Sequence, residues 1–176
     1  MNYAEIDDAL ASMVIIYDTR EQPTPALMRR LSAFPCETRR EMCGFGDYSA
    51  ACTLPDGSEM SLNGVVAVER KMSLDELSRN FTASRERFAR EFKRATENGG
   101  KLYLLVEEAS WDKIFAGRYK TKFNKEAYIA SLMAWQARYG TQILFCSAEI
   151  SPMMIYKVLR YELKERLERM CEDGKR

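Results

Sequence analysis

The chain is 176 residues long, carries a formal net charge of +1 and is 46% hydrophobic, enough for the core of one ordinary domain. It is not a polycation, so any affinity for nucleic acid has to come from a local patch. It has no histidine; that removes Ser-His-Asp and Cys-His catalysis, histidine-ligated zinc and imidazole acid–base chemistry, and leaves carboxylates, lysine, cysteine or a hard metal ion.

In chain order, "MNYAEIDDALAS" is acidic and shows no signal-peptide pattern. No apolar run approaches the ~20 residues of a membrane span, so the expected setting is cytoplasmic, with no membrane partner. "MVIIY" at 13–17 is rich in β-branched residues and reads as a buried strand ending at Asp18. "TPALMRRLSAF" reads as a helix with Thr24 as N-cap and Pro25 at the first helical position. Residues 37–54 read as extended chain broken at "GFGDY", and "PDG" at 55–57 predicts a hairpin. "GVVAVE" is the next strand. "SLDELSRN" opens a helix with Ser73 as N-cap and Glu76 at capping-box spacing. "ASRERFAREFKRATEN" forms another helix, closing at Gly99-Gly100.

"KLYLLVEE" is a further buried strand and "SWDKIF" a short helix. The basic loop "GRYKTKFNK" leads into the helix "EAYIASLMAWQARYG", whose Met and aromatic positions read as core. "TQILFCS" is the last strand. A helix from about Pro152 to Met170 places Ile155, Val158, Leu159, Leu163, Leu167 and Met170 on one stripe; the tail "CEDGKR" is expected to fray. A meander of early strands followed by strands alternating with helices implies an α/β domain: a central mixed β-sheet flanked by helices on both faces. Residues 1–176 read as a single domain with its core at about 13–170. The five cysteines form no C-x-x-C pair and read as reduced thiols.

The stretch "GVVAVERKMSLDEL" follows a buried-looking strand with three charges in a row. Successive strand residues point to opposite faces, so Glu69 and Lys71 share one face and Arg70 points away. A carboxylate and an ammonium side by side at the end of a core strand form one half of a metal-dependent phosphodiesterase site. The carboxylate holds a hard cation, Mg²⁺ or Mn²⁺, while the lysine orients or deprotonates water and offsets phosphate charge. Glu-Lys pairs are also common as weak solvated salt bridges, so a second carboxylate is required. Asp47 in "GFGDYSA" is the obvious one, on a strand expected to pair with "GVVAVE". Asp18, followed by Arg20 and Glu21, is a third acid at a strand end.

Two basic stretches are candidates for a phosphate backbone. Residues 84–94 carry Arg85, Arg87, Arg90, Lys93 and Arg94 against Glu86 and Glu91. The loop at 117–125 carries Arg118, Lys120, Lys122 and Lys125 with no acid, and its Tyr119 and Phe123 either stack on bases or pack inward. Such charge runs are otherwise ordinary solvated faces. Asp75, in the first turn of its helix, suits the helix dipole.

The chain resembles the XPF-type nucleases, a branch of the restriction-endonuclease-like fold. The family carries V-x-D-x-R-E, then G-D-Y, then V-E-R-K-x-x-x-D; here these are "IYDTRE", "GDY" and "VERKMSLD", in that order within about sixty residues. The resemblance covers roughly residues 13–150 and implies a DNA endonuclease. By it, Asp18, Asp47 and Glu69 match the metal-ligating acids, Lys71 the catalytic lysine, and Arg70 the E-R-K arginine, whose backbone carbonyl can also serve the metal. Glu21 and Asp75 match supporting acids. Arg85, Arg87, Arg90, Lys120 and Lys122 become the expected DNA contacts.

No helix-hairpin-helix pair follows residue 147 in this sequence, and in this the chain resembles stand-alone nuclease domains of phages and prophages. Roles in repair and recombination both fit that resemblance, as does action on branched or flap DNA. The alternatives are a non-catalytic DNA-binding or scaffold partner, whose family examples typically lose the acidic and E-R-K residues kept here, and a nuclease of RNA. Relatives commonly pair through this domain, which implies a homodimer; Met154, Tyr156 and Tyr161, off the main stripe, are the candidate surface.

Overall fold

In the computed structural model, which describes residues 2–173, the β-branched runs pair into one seven-stranded mixed sheet. The strands are β1 (Val14–Asp18), β2 (Thr38–Glu41), β3 (Tyr48–Thr53), β4 (Glu59–Ser61), β5 (Val66–Lys71), β6 (Lys101–Glu107) and β7 (Ile143–Cys146). Their order is β2-β1-β3-β5-β6-β7, with β4 paired to β3 beside this path. β3 runs antiparallel to β1, β4 and β5, while β5, β6 and β7 are parallel to one another. The hairpin expected at "PDG" is the β3–β4 turn, with Thr53 opposite Glu59.

The expected meander fails at one strand. β2 lies on the outer side of β1 and parallel to it, with Asp18 opposite Glu41. The reason is α2 (Pro25–Ser32), which carries the chain back across the sheet between them, as parallel pairing requires. Thr24 caps this helix, accepting the amide of Leu27, with Pro25 at its first position.

Helices cover both faces: α1 (Tyr3–Ala11), α2 and α7 (Ser151–Asp173) on one, and α3 (Leu74–Phe81), α4 (Arg85–Glu97), α5 (Trp111–Phe115) and α6 (Lys125–Tyr139) on the other. The pleat sorts the sheet residues between them. Val66, Val68, Tyr103 and Leu105 pack under α1, α2 and α7, whereas Ala67, Leu102, Leu104 and Val106 pack under α3 to α6. By the same alternation Glu69 and Lys71 emerge on the α4 side of the sheet, and Arg70 and Glu107 on the α7 side.

Local details add to the sequence reading at the N-terminus and correct it in α7 and α6. The acidic N-terminal segment is a helix, α1, closed by a reciprocal capping box in which Asn2 Oδ1 accepts the Glu5 amide and Glu5 accepts the Asn2 amide. The buried stripe of α7 runs Ile155, Leu159, Leu163, Leu167 and Cys171; Met170 is exposed, and Cys171–Asp173 continue the helix instead of fraying. The rest of the tail lies outside the described residues. In α6, Tyr128, Leu132 and Trp135 are buried as expected, but Met133 is exposed. Among the described residues no helix is long and apolar enough to cross a membrane.

Candidate active site

The sheet brings the ends of β1 and β5 and the start of β3 together. Gly46, two residues before β3, adopts φ +69°, and a Cβ there would sit 2.9 Å from both Ala67 Cβ and Leu102 Cδ1. Only glycine lets the chain pass this close to β5 and β6 before turning into β3 at Asp47. The Asp47 amide then donates to Val68 O, and the Asp18 amide donates to Asp47 O, each at 2.9 Å. The three acids are thereby fixed to one corner of the sheet. A cleft of about 280 Å³ opens there, lined on the sheet side by Asp18, Arg20, Glu21, Asp47, Glu69 and Lys71. Asn80, Ser84, Arg87, Phe88 and Glu91 close it from the α3–α4 side.

Asp47 uses Oδ2 to accept the Arg70 amide at 2.7 Å. Burial and the neighbouring Glu69 charge push its carboxyl well above the usual range, with Lys71 and the Arg70 amide only partly offsetting them. Glu21, at the cleft wall, adds to the same repulsion. Burial also raises Glu69, against the pull of Lys71, whose Nζ lies 2.7 Å from Glu69 Oε1. For Lys71, burial works to lower the pKa, but Glu69 and Asp47 outweigh it and the ammonium ends above its ordinary value. Its Nζ also sits 5.3 Å from the centre of the Phe88 ring. At neutral pH Lys71 is a held positive charge rather than a free base.

Asp18 lies in the same wall, but its carboxylate is already saturated. Oδ1 accepts the amide and Nε of Arg20 at 2.7 and 2.6 Å; Oδ2 accepts the Cys43 amide at 2.7 Å and Arg20 Nη2 at 3.2 Å. Four donors fill the four lone-pair sites of a carboxylate. Burial alone would raise its pKa; the bonds from Arg20 and Cys43 outweigh it and hold the group below its usual range. In this arrangement the Asp18 carboxylate fixes Arg20 and the β1 end.

Arg70 reaches the site only through its backbone. Its guanidinium crosses to the far face and forms a bidentate pair with buried Glu107, at 2.6 Å and 2.5 Å. Glu107 escaped the sequence reading; its strand parity with Arg70 across parallel β5 and β6 is the signal that exposes it. Asp75 is also outside the cleft. In the first turn of α3 its Oδ1 accepts the amides of Lys120 and Thr121, at 2.8 and 3.0 Å. Ser73 caps this helix as expected, but Glu76 reaches back to the Met72 amide and not to that of Ser73.

The basic candidates divide. Arg87 lines the cleft, whereas Arg90 is exposed in an adjoining groove. Arg85 instead lies 5.0 Å over the Trp135 ring and donates to Phe81 O and Ser131 Oγ. Lys120 and Lys122 are exposed. Tyr119 and Phe123 pack inward, each 5.2 Å from the ring of Tyr128. Asn80 escaped the sequence reading and Glu91 entered it only as a counter-charge of the basic stretch: Asn80 Oδ1 and Glu91 Oε2 are buried without a hydrogen-bond partner beside the cleft.

Among the described residues no cluster of three or more carboxylates or thiols is arranged to hold a metal ion. Two oxygen-bearing acids, Asp47 and Glu69, do share one corner, and their mutual repulsion favours a cation between them. This suits Mg²⁺, which is commonly held by one or two carboxylates and otherwise keeps waters and substrate phosphates.

A family model described as the ERCC4 domain matches residues 17–157. The chain belongs to the ERCC4 family of XPF-type nuclease domains. The ERCC4 match takes in Asp18, Asp47, Glu69, Lys71 and Asp75. Among solved structures, XPF from Aeropyrum pernix is 19% identical with a TM-score of 0.59, over 85% of this chain and 61% of that one. XPF from Aeropyrum pernix in complex with DNA is 19% identical with a TM-score of 0.57, over 86% and 66%. The chain thus spans less than two thirds of those structures and shares their nuclease-domain fold, a mixed seven-stranded sheet flanked by helices. No curated protein matches it.

Proposed function

We propose that this ERCC4 domain is a Mg²⁺- or Mn²⁺-dependent DNA endonuclease that hydrolyses phosphodiester bonds, with branched or flap DNA as its substrate class. The observation that carries the reading is half-buried Asp47 beside buried Glu69, with the Lys71 ammonium 2.7 Å from Glu69, in one open cleft. Asp47 and Glu69 would hold the cation, which when bound supplies positive charge at the phosphate and acidifies water. Lys71 offsets the charge that develops on the phosphate. Arg70 presents its amide to Asp47 and fixes that carboxylate's orientation. Asp18 holds Arg20 on the cleft wall, and Arg87 faces it from α4 as a phosphate contact. Support for a DNA substrate comes from the fold neighbour titled as a complex with DNA.

The experiment is a panel of end-labelled duplex, flap, three-way-branched and RNA substrates in Mg²⁺. The expected result is cutting of DNA with 5′-phosphate and 3′-hydroxyl ends, strongest at a branch. Cutting confined to RNA, or binding without any cutting, would replace this reading with the RNA nuclease or the scaffold.

The loop holding Lys120 and Lys122 has a separate test. Replacing both with alanine weakens DNA binding across sequences and flattens the log–log salt dependence by up to about two, since each phosphate contact releases roughly one counterion. An unchanged slope makes the loop an ordinary solvated face.

We further propose a homodimer through α7. A groove lined by Leu144, Met154, Val158 and Tyr161, with Lys101 and Glu162 beside them, runs along this helix. Met154 and Tyr156 are partly packed on the core, so Tyr161 is the most exposed of the three off-stripe candidates. A twofold contact that buries about 1,200 Å² or more is specific. Light scattering at micromolar concentration should give about twice the 20.3 kDa of one chain; the single-chain mass contradicts the pairing.

A further inference from the structure

The last acid of the E-R-K-x-x-x-D run does not enter the cleft. Asp75 Oδ1 instead accepts two consecutive amides, of Lys120 and Thr121, from a loop 45 residues further along the chain. The same helical turn makes a second hold on the same region. Leu74 O accepts the hydroxyl of Tyr128, a fully buried residue of α6, at 2.7 Å. Tyr128 in turn carries the rings of Tyr119 and Phe123 from that loop, and Tyr119 donates its hydroxyl to Phe123 O. The first turn of α3 begins three residues after Lys71, the last residue of β5. The exposed Lys120 and Lys122 are therefore tied by direct hydrogen bonds and ring contacts to the strand end that carries the cleft.

We propose that Asp75 is a positioning residue that sets the register between the basic loop and the catalytic strand, so that a phosphate backbone gripped by Lys120 and Lys122 presents a fixed phosphate to Lys71. Asp75 acts through two backbone amides and touches neither the cleft nor its acids. Consecutive amides accepted by one carboxylate oxygen fix the direction of the loop backbone, and with it where the alternating lysine side chains project. What the loop requires from residue 75 is an acceptor at that point. An amide oxygen supplies one as a carboxylate does, whereas a methyl group does not. The proposal rests on the nuclease reading for its substrate, while the hold itself is independent of any activity.

The test compares Asp75→Ala with Asp75→Asn. Hydrogen exchange reads the hold directly: the amides of Lys120 and Thr121 exchange faster in Asp75→Ala and stay protected in Asp75→Asn. Kinetics read its consequence. Asp75→Ala raises KM and Kd for DNA roughly tenfold, the scale of losing a charge-assisted hydrogen-bond hold, and spreads the cut over neighbouring phosphates. Its kcat at saturating DNA stays within about twofold of the wild type, since only binding and register are lost. Asp75→Asn restores KM and a single cut position. Adding Asp75→Ala to Lys120→Ala/Lys122→Ala costs little further affinity, because the two act through one contact.

Unchanged exchange at both amides in Asp75→Ala overturns the hold. A loss of kcat without a rise in KM in both variants overturns the positioning role and makes the charge itself the requirement. If Asp75→Ala does not fold, Asp75→Asn decides alone: near-wild-type KM and cut position support the proposal, and a large loss of either ends it. A wild-type chain that binds no DNA sinks the nuclease reading and this role together; a wild type that binds, with Asp75→Ala binding equally well, sinks only this one.

Discussion

Asp47→Ala and Glu69→Ala are each expected to abolish Mg²⁺-dependent cutting, with far-UV circular dichroism and DNA binding retained. The two carboxylates are the oxygen donors that share the corner of the cleft, while the Asp18 carboxylate accepts four hydrogen bonds, three from Arg20 and one from Cys43. The same electrostatics give an opposite effect on stability. Asp47 and Glu69 are both raised above their ordinary values, Asp47 by burial and by Glu69. A carboxyl with a raised folded-state pKa destabilises the fold where it is ionised, fully so above its folded pKa, and this penalty fades as pH falls through that value. Asp47→Asn removes the repulsion and keeps an acceptor for the Arg70 amide, so at neutral pH it should melt higher. A gain of about 1 kcal/mol corresponds to roughly 2–4 °C for a chain of this size. A lower melting temperature for Asp47→Asn, or full activity in either alanine variant, contradicts the assignment. The acid limb of the pH–rate profile should also lie above the range of exposed carboxylates, because both acids must be ionised to receive a cation.

Lys71→Ala should slow cleavage by roughly a hundredfold or more, the usual scale for one group that stabilises developing charge. DNA affinity changes little, since the ammonium is nearly buried and committed to Glu69. Because Glu69 and Asp47 keep Lys71 protonated, the role expected of it is charge stabilisation, and Lys71→Arg should recover part of the rate. A variant that loses binding and rate equally makes Lys71 a simple phosphate contact.

The sheet and the cleft were legible in the sequence for a physical reason. Strand alternation is strict, so Glu69 and Lys71 had to share a face with Ala67, and Arg70 had to oppose them. The Gly46-Asp47 step announced a tight entry into a strand, and that strand does pair with β5. What stayed hidden depends on contacts far apart in the chain. No local pattern in "DTREQ" reveals that Cys43 donates its amide to Asp18 and helps to close its coordination. Nothing in "VERK" names Glu107 as the partner of Arg70. The dipole argument for Asp75 found its helical turn but not the loop it holds. β2 was misplaced because a short strand after a helix can return to either side of β1, and only the sheet as a whole decides. The sequence also led to Met170 instead of Cys171, because a strict four-residue step, continuing Ile155, Leu159, Leu163 and Leu167, wins over size in this long helix.

Asp47 and Glu69 are proposed to form the cation site of a phosphodiesterase. The most direct measurement is anomalous scattering from Mn²⁺ in crystals of the chain bound to uncleaved DNA. One manganese peak is expected within about 2–2.5 Å of a carboxylate oxygen from each residue, lost in Asp47→Ala. A fully occupied manganese held elsewhere on the chain, with none between these two acids, would contradict it.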